Sequence, residues 1–325
     1  MTGFNFTIED CKNELEPLTI GGDGMWHAGE EGVQNIWTTR DRKVEFIEYR
    51  DKTLTFVKSG MGHPAVYPLA DAPFEPPAQA VLMDLDGTSV HSESFWIWVM
   101  EQTTARLLGD PSFRFAPGDR MHVMGHSVVE HVQYCIKTFC PHQTVAEGLR
   151  HYNDITDHEL AEIAEGRGQI DAFQPAPGLK EFLLTLKRHD VKIGLVTSGV
   201  YRKAWPEILA VFRQLGLGDP TRFYDSIITA GMSLKKGQTG TLGELCAKPH
   251  PWLYAETASV GLHIEPAQRR RVIGIEDSSA GVLAIRLAGF AAVGIGGGNI
   301  AQSGVRSLLF AECATLTEAL PIILG

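Results

Sequence analysis

From residue 80 onward, five apolar runs alternate with helix-like stretches: AVLMDLD (80–86), VKIGLVTSG (191–199), SIITAG (226–231), RVIGIED (271–277) and AAVGIG (291–296). No other feature of the chain restricts its fold so strongly. Runs that are apolar at nearly every position are strands buried on both faces, and such strands belong to parallel sheets covered by helices. KEFLLTLKRH (180–189) and AGVLAIRLAGF (280–290) carry the helical spacing that supplies the covering layers. The expected fold class is therefore α/β, a doubly wound parallel sheet. In such a sheet, ligands bind beyond the carboxyl ends of the strands.

Two regions depart from this rhythm. Residues 33–68 hold short β-prone runs (VQNIWTT, KVEFIEY, TLTFVK, AVYP) broken by turn-forming DRK, RDK and SGMGHP, which predicts a small antiparallel meander. The proline-rich DAPFEPPAQ (71–79) then marks a linker. The meander is compatible with packing on the core, with a dimer contact or with covering a cleft. Between the first apolar run and VKIGLVTSG the sequence is helical. Ser127 with Glu130 and Thr144 with Glu147 fit the capping box, and Val128, Val132, Cys135, Ile136 and Phe139 keep helical spacing. The expected organisation is a β-rich extension and linker at 1–77, a catalytic core at 78–92 and 176–325, and a helical insert at 93–175.

Composition narrows the partners. A formal net charge of -10 disfavours nucleic-acid binding, which needs a positive surface to displace counterions. No apolar run reaches a membrane-spanning length, and the amino terminus has no basic-then-apolar leader pattern. Five scattered cysteines without a CxxC motif read as reduced thiols. A cytoplasmic protein, monomer or homodimer, is the expectation.

Chemistry concentrates where strands end. Asp84-Leu-Asp86-Gly-Thr88 closes the first run, Thr197-Ser198-Gly199 the second, and Glu276-Asp277 the fourth, while Lys248-Pro249 lies in a loop beyond the third. Each segment alone has a plain alternative. Asp, Gly and Thr make turns, Thr197 is a competent helix cap, and acids favour helix amino termini. All four at one rim of one sheet form a constellation that clusters acids, a hydroxyl and a cation.

These segments, with KPHPWLY (248–254) and IEDSSAGVLAIRLAGF (275–290), resemble the haloacid dehalogenase-like (HAD) superfamily, in the branch of small phosphatases and phosphoglucomutases that carry a helical cap after the first strand. The resemblance implies a Mg²⁺-dependent enzyme acting on a small phosphorylated metabolite. In it, Asp84 is the nucleophile, Asp86 the acid and base, and Thr197 and Lys248 bind the transferring phosphoryl. The ion is held by Asp84, Asp277, the Asp86 carbonyl and Glu276, the last directly or through water. Gly87 allows the turn, and the N–H groups of Ser198 and Gly199 add phosphate donors. Gly125 and His126 in the cap stand where relatives read the leaving group, although a solvated histidine near a helix end fits the same residues. Lys235 and Lys236 compete with Lys248 for the lysine role, and KPHP favours Lys248. Phosphatase and sugar phosphomutase share every one of these groups. Dehalogenation has no need for Asp86, and a phosphonatase would want a cap lysine. A signalling receiver lacks the long insert between Asp84 and Thr197, and a binding protein without turnover is the remaining alternative.

Overall fold

The computed structural model describes residues 13–58, 63–120, 128–229, 232–233 and 246–325. Its strands are β1 (Glu16–Leu18), β2 (Val33–Thr38), β3 (Val44–Tyr49), β4 (Thr53–Val57), β5 (Ala65–Leu69), β6 (Ala80–Asp84), β7 (Val90–His91), β8 (Gln174–Pro175), β9 (Lys192–Thr197), β10 (Ser226–Thr229), β11 (Met232–Ser233), β12 (Val272–Glu276), β13 (Ala291–Ile295) and β14 (Ala311–Cys313). They form a five-stranded sheet in the order β1-β2-β3-β4-β5, a seven-stranded sheet in the order β11-β10-β9-β6-β12-β13-β14, and the β7-β8 pair. Two compact units result: residues 1–89, 176–201 and 219–325 make one, and 90–175 with 202–218 make the other.

All five apolar runs of the sequence became strands of the larger sheet. Its neighbours pair in parallel except at β11, which runs antiparallel to β10. Every residue of β6, β12 and β13 is buried, as the unbroken apolar runs require. Chain order reverses across the sheet at β6, which lies between β9 and β12. That is the switch point where ligands collect in folds of this kind. Asp84, Thr197 and Glu276 end these three adjacent strands.

One face of the sheet gives Ala80, Leu82, Val196, Val272 and Ala292 to a buried cluster that also takes Leu253 and Tyr254 from the helix Trp252–Glu256 and Val282, Leu283 and Ile285 from the helix Ser279–Leu287. Val44, Phe46 and Val57 of the smaller sheet join the same cluster. The meander therefore packs on the core, and β1, short and led by a proline-containing EPL, extends it at the edge beside β2. Its opposite face has a core of its own in Val33, Ile36, Ile47 and Phe56, with Trp26 packed against it.

The linker is held as well. The three arginines of RRR end a 3₁₀ helix, Pro266–Arg271, and stay exposed, as a solvated basic cluster should. Two of them also tie down the proline-rich segment. Arg270 pairs with Glu75 at 3.1 Å, and Arg271 Nε donates to the Pro77 carbonyl at 3.0 Å.

The second unit is helical, with Glu93–Leu108, Val128–Phe139 and Val145–Ala164 in contact with one another. The capping box at Thr144 and Glu147 is present in full. Gly125, His126 and Ser127 of the cap, like Lys235 and Lys236, lie outside the described residues. Among the described residues, no helix is long and apolar enough to cross a membrane.

Candidate active site

Asp84 is the last residue of β6, so an apolar strand carries its carboxylate to the rim while the residue stays only 5% exposed. Asp86 lies past the strand end, in the turn made by Gly87 at φ +82°. Strand alternation therefore does not set its direction. The Asp86 side chain is exposed, and its Oδ2 accepts a hydrogen bond from Thr197 Oγ1 at 3.3 Å. The two aspartates thus occupy different environments, one buried and one open.

Lys248 reaches into the same place from the loop before the helix Trp252–Glu256. Its ammonium is paired with Asp84 Oδ1 and sits 2.5 Å from Glu276 Oε1. The Lys248 N–H donates to Ser198 Oγ at 3.2 Å, which links two of the four sequence segments directly. Gly199 N–H donates to Thr197 Oγ1 at 2.9 Å, so the threonine hydroxyl is oriented from behind and free to donate forward to Asp86.

Glu276 is fully buried, and both of its oxygens accept hydrogen bonds. Oε1 accepts from Lys248 and, at 2.8 Å, from the Tyr254 hydroxyl. Oε2 accepts from the N–H groups of Asp277 and Ser278 at 3.2 and 3.1 Å and from Ser278 Oγ at 3.0 Å. Ser278 also caps the helix Ser279–Leu287 by accepting from Gly281 N–H at 3.1 Å. Cap and acidic rim are one piece of structure. Glycine is required twice here: a Cβ on Gly281 would overlap the Glu276 carboxylate, and one on Gly87 would overlap that of Asp277. Asp277 in turn accepts from Thr88 Oγ1 at 3.2 Å.

Asp84, Glu276 and Asp277 each place a carboxylate oxygen within 4.8 Å of the others. Three acids against one lysine leave an excess of negative charge in a buried place, and the titration behaviour registers it. Burial, then the charge of Glu276, pushes Asp84 well above the ordinary carboxylate range, with Lys248 opposing. Burial and Glu276 likewise raise Asp277 to about 7. Desolvation alone would depress the Lys248 ammonium, but Asp84 and Glu276 outweigh it and hold the lysine above its usual value. A hard divalent cation takes oxygen ligands and offsets such an excess. Only oxygen donors are offered, so the residues present fit Mg²⁺.

The structure thus brings together Asp84, Asp86, Gly87, Thr197, Ser198, Gly199, Lys248, Glu276 and Asp277. Sequence reasoning missed Tyr254, Thr88, Ser278 and Asn299, whose Oδ1 accepts from Ser279 N–H at 2.8 Å. Tyr254 had a readable signal, because it sits inside KPHPWLY six residues after the lysine. Asn299 had none.

The chain belongs to the haloacid dehalogenase-like hydrolase family, whose model matches residues 78–289, more than half of it. A stretch of 123 residues is 36% identical to the beta-phosphoglucomutase of Bacillus subtilis (strain 168), covering 38% of this chain and 44% of that protein, which is less than half of the relative's length. Among solved structures, a predicted phosphoglycolate phosphatase from Haemophilus somnus 129PT superimposes with a TM-score of 0.54 at 19% identity, over 76% of this chain and 98% of the other. A HAD-superfamily hydrolase of subfamily IA from Geobacter sulfurreducens PCA gives 0.52 at 16% identity, over 78% and 99%. At these identities the structural likenesses speak to the fold alone.

Proposed function

We propose that this hydrolase is a Mg²⁺-dependent phosphatase of a small phosphorylated metabolite that works through an aspartyl-phosphate on Asp84. The observation that carries the reading is the trio of carboxylates Asp84, Glu276 and Asp277 gathered at the ends of two adjacent strands, with the Lys248 ammonium paired to the first two. A phosphate monoester repels incoming anions, so a site that attacks it must gather positive charge and aim a nucleophile in line. Mg²⁺ would be held by Asp84, Asp277 and the Asp86 carbonyl, with Glu276 direct or through water, and would neutralise charge on the phosphoryl oxygens.

Asp84 then attacks phosphorus with one carboxylate oxygen, and the bond to the ester oxygen breaks. Asp86, exposed in the turn beside Thr197, gives its proton to that departing oxygen. In the second half it takes a proton from water, whose oxygen attacks phosphorus and frees Asp84 and inorganic phosphate. Thr197 and the Ser198 N–H donate to the phosphoryl oxygens, Gly199 N–H joining them once it turns from Thr197 Oγ1. Lys248 balances the charge of Asp84 and of the phosphoryl group.

The relative from Bacillus subtilis supports a second reading, a sugar phosphomutase, in which the aspartyl-phosphate passes its phosphoryl to a second sugar hydroxyl instead of water. A panel of phosphorylated metabolites with Mg²⁺ separates the two: released inorganic phosphate marks the phosphatase, and isomerised sugar phosphate without release marks the mutase. No turnover of either kind across the panel overturns both.

A further inference from the structure

The family match begins at residue 78, yet the smaller sheet before it reaches the loop that carries the lysine. Tyr67 stands in β5, the sheet's edge strand, and its hydroxyl lies 2.8 Å from Nδ1 of His250. The ring meets His250 edge-on at 5.8 Å and Trp252 edge-on at 6.1 Å. His250 is only 1% exposed. Within residues 248–254, Lys248 bonds Asp84 and Glu276 and Tyr254 bonds Glu276, while His250 and Trp252 meet Tyr67.

Lys248 depends on such support. Its ammonium rides on a flexible four-carbon stem, so where the charge rests follows from the backbone that bears it. One side of that backbone is held by Ser198, through the Lys248 N–H. Tyr67 holds the other side, two residues on, and the same sheet end also takes a long hydrogen bond from Arg286 of the helix Ser279–Leu287 to the Ala70 carbonyl, 3.4 Å. A small sideways shift of a charged group at a reacting centre costs far more rate than stability.

We propose that Tyr67 is a positioning residue of the active site, which through His250 fixes the backbone of Lys248 and makes the N-terminal sheet a working part of the catalytic unit. This rests on the reading of Lys248 as a phosphoryl-binding group.

The test uses the full chain with Tyr67→Phe, His250→Asn and His250→Ala, and two readouts. With Mg²⁺ and a substrate from the panel, Tyr67→Phe lowers kcat about five-fold, the worth of one neutral hydrogen bond, with KM within two-fold of the parent. His250→Asn, which can keep an acceptor near the place of Nδ1, retains more activity than His250→Ala. The second readout needs no turnover: amine labelling of Lys248, followed by mass spectrometry with exposed Lys180 as the internal standard, rises several-fold in Tyr67→Phe. Unchanged kcat and unchanged Lys248 labelling overturn the proposal. So does a lowered melting temperature with labelling unchanged well below it, which marks Tyr67 as structural only. A parent protein without turnover overturns the phosphoryl-transfer reading, and the labelling then decides the positioning role by itself.

Discussion

Glu276 and Glu45 are both fully buried, each paired to a lysine, one in each sheet, and they are satisfied to different degrees. Both oxygens of Glu276 are taken up by Lys248, Tyr254, Ser278 and backbone N–H groups. Glu45 Oε1 accepts from Lys58 at 2.6 Å and from Gly22 N–H at 2.9 Å, while its Oε2 has no hydrogen-bond partner among the described residues. A buried carboxylate that satisfies many donors fixes their geometry as well as its own. One that satisfies few is a local pin whose loss frees only a loop. Full satisfaction by groups from several segments is what marks the first as belonging to a site.

The comparison can be broken or sharpened by four measurements. Asp84→Asn should lower turnover by about a thousand-fold or more, because the amide is no nucleophile, while the melting temperature stays within a few degrees. Retained turnover would remove Asp84 from the role of nucleophile.

Glu276→Ala should cost about 3 kcal/mol in urea unfolding with Mg²⁺ present, since it leaves a tyrosine hydroxyl and two N–H groups without their acceptor and the buried lysine with Asp84 as its one remaining acid. Relief of repulsion with Asp84 and Asp277 offsets part of the loss, and most strongly without the ion.

Metal removal should act through the same repulsion, with a definite sign. Asp277 and Asp84 are raised above their unfolded values, so the folded state binds those protons more tightly and their contribution is greatest in acid. It is lost as pH rises through the folded value, about 7 for Asp277. Lys248, held above its usual value, stays charged in this range and adds no slope. Scans of metal-free and Mg²⁺-loaded protein should therefore diverge by a few degrees between pH 5.5 and 8, the loaded form being favoured increasingly toward alkali. A constant gap would mean that the acids are not in conflict.

Glu45→Ala should show the smallest effect, about 1–2 kcal/mol, with turnover unchanged. A cost equal to that of Glu276→Ala would dissolve the distinction drawn between the two glutamates.

Most of the larger sheet was legible because burial on both faces leaves an unmistakable apolar run, as in Ala80–Asp84 and Val272–Glu276. The rim was legible because polar residues stop those runs. What escaped depends on partners distant in sequence. Glu45 alternates with Phe46 in KVEFIEY like an ordinary outward residue, and the groups that bond it inside, Gly22 N–H and Lys58, lie elsewhere along the chain. Asp86 follows period 2 from Asp84 on paper, but the strand ends at Asp84 and the turn sets its direction. Asn299 acts across a loop that follows a different strand. β14 is three residues long, too short for a pattern to register.

Val44, Phe46 and Val57 share one cluster with Leu82, Tyr254 and Ile285. A recombinant fragment begun at residue 78 would match the family's outline and yet lay bare a greasy flank. Such a fragment should turn up in inclusion bodies, and trimming to the recognisable catalytic portion, the usual first step in making a protein easier to handle, would here remove its outer coat.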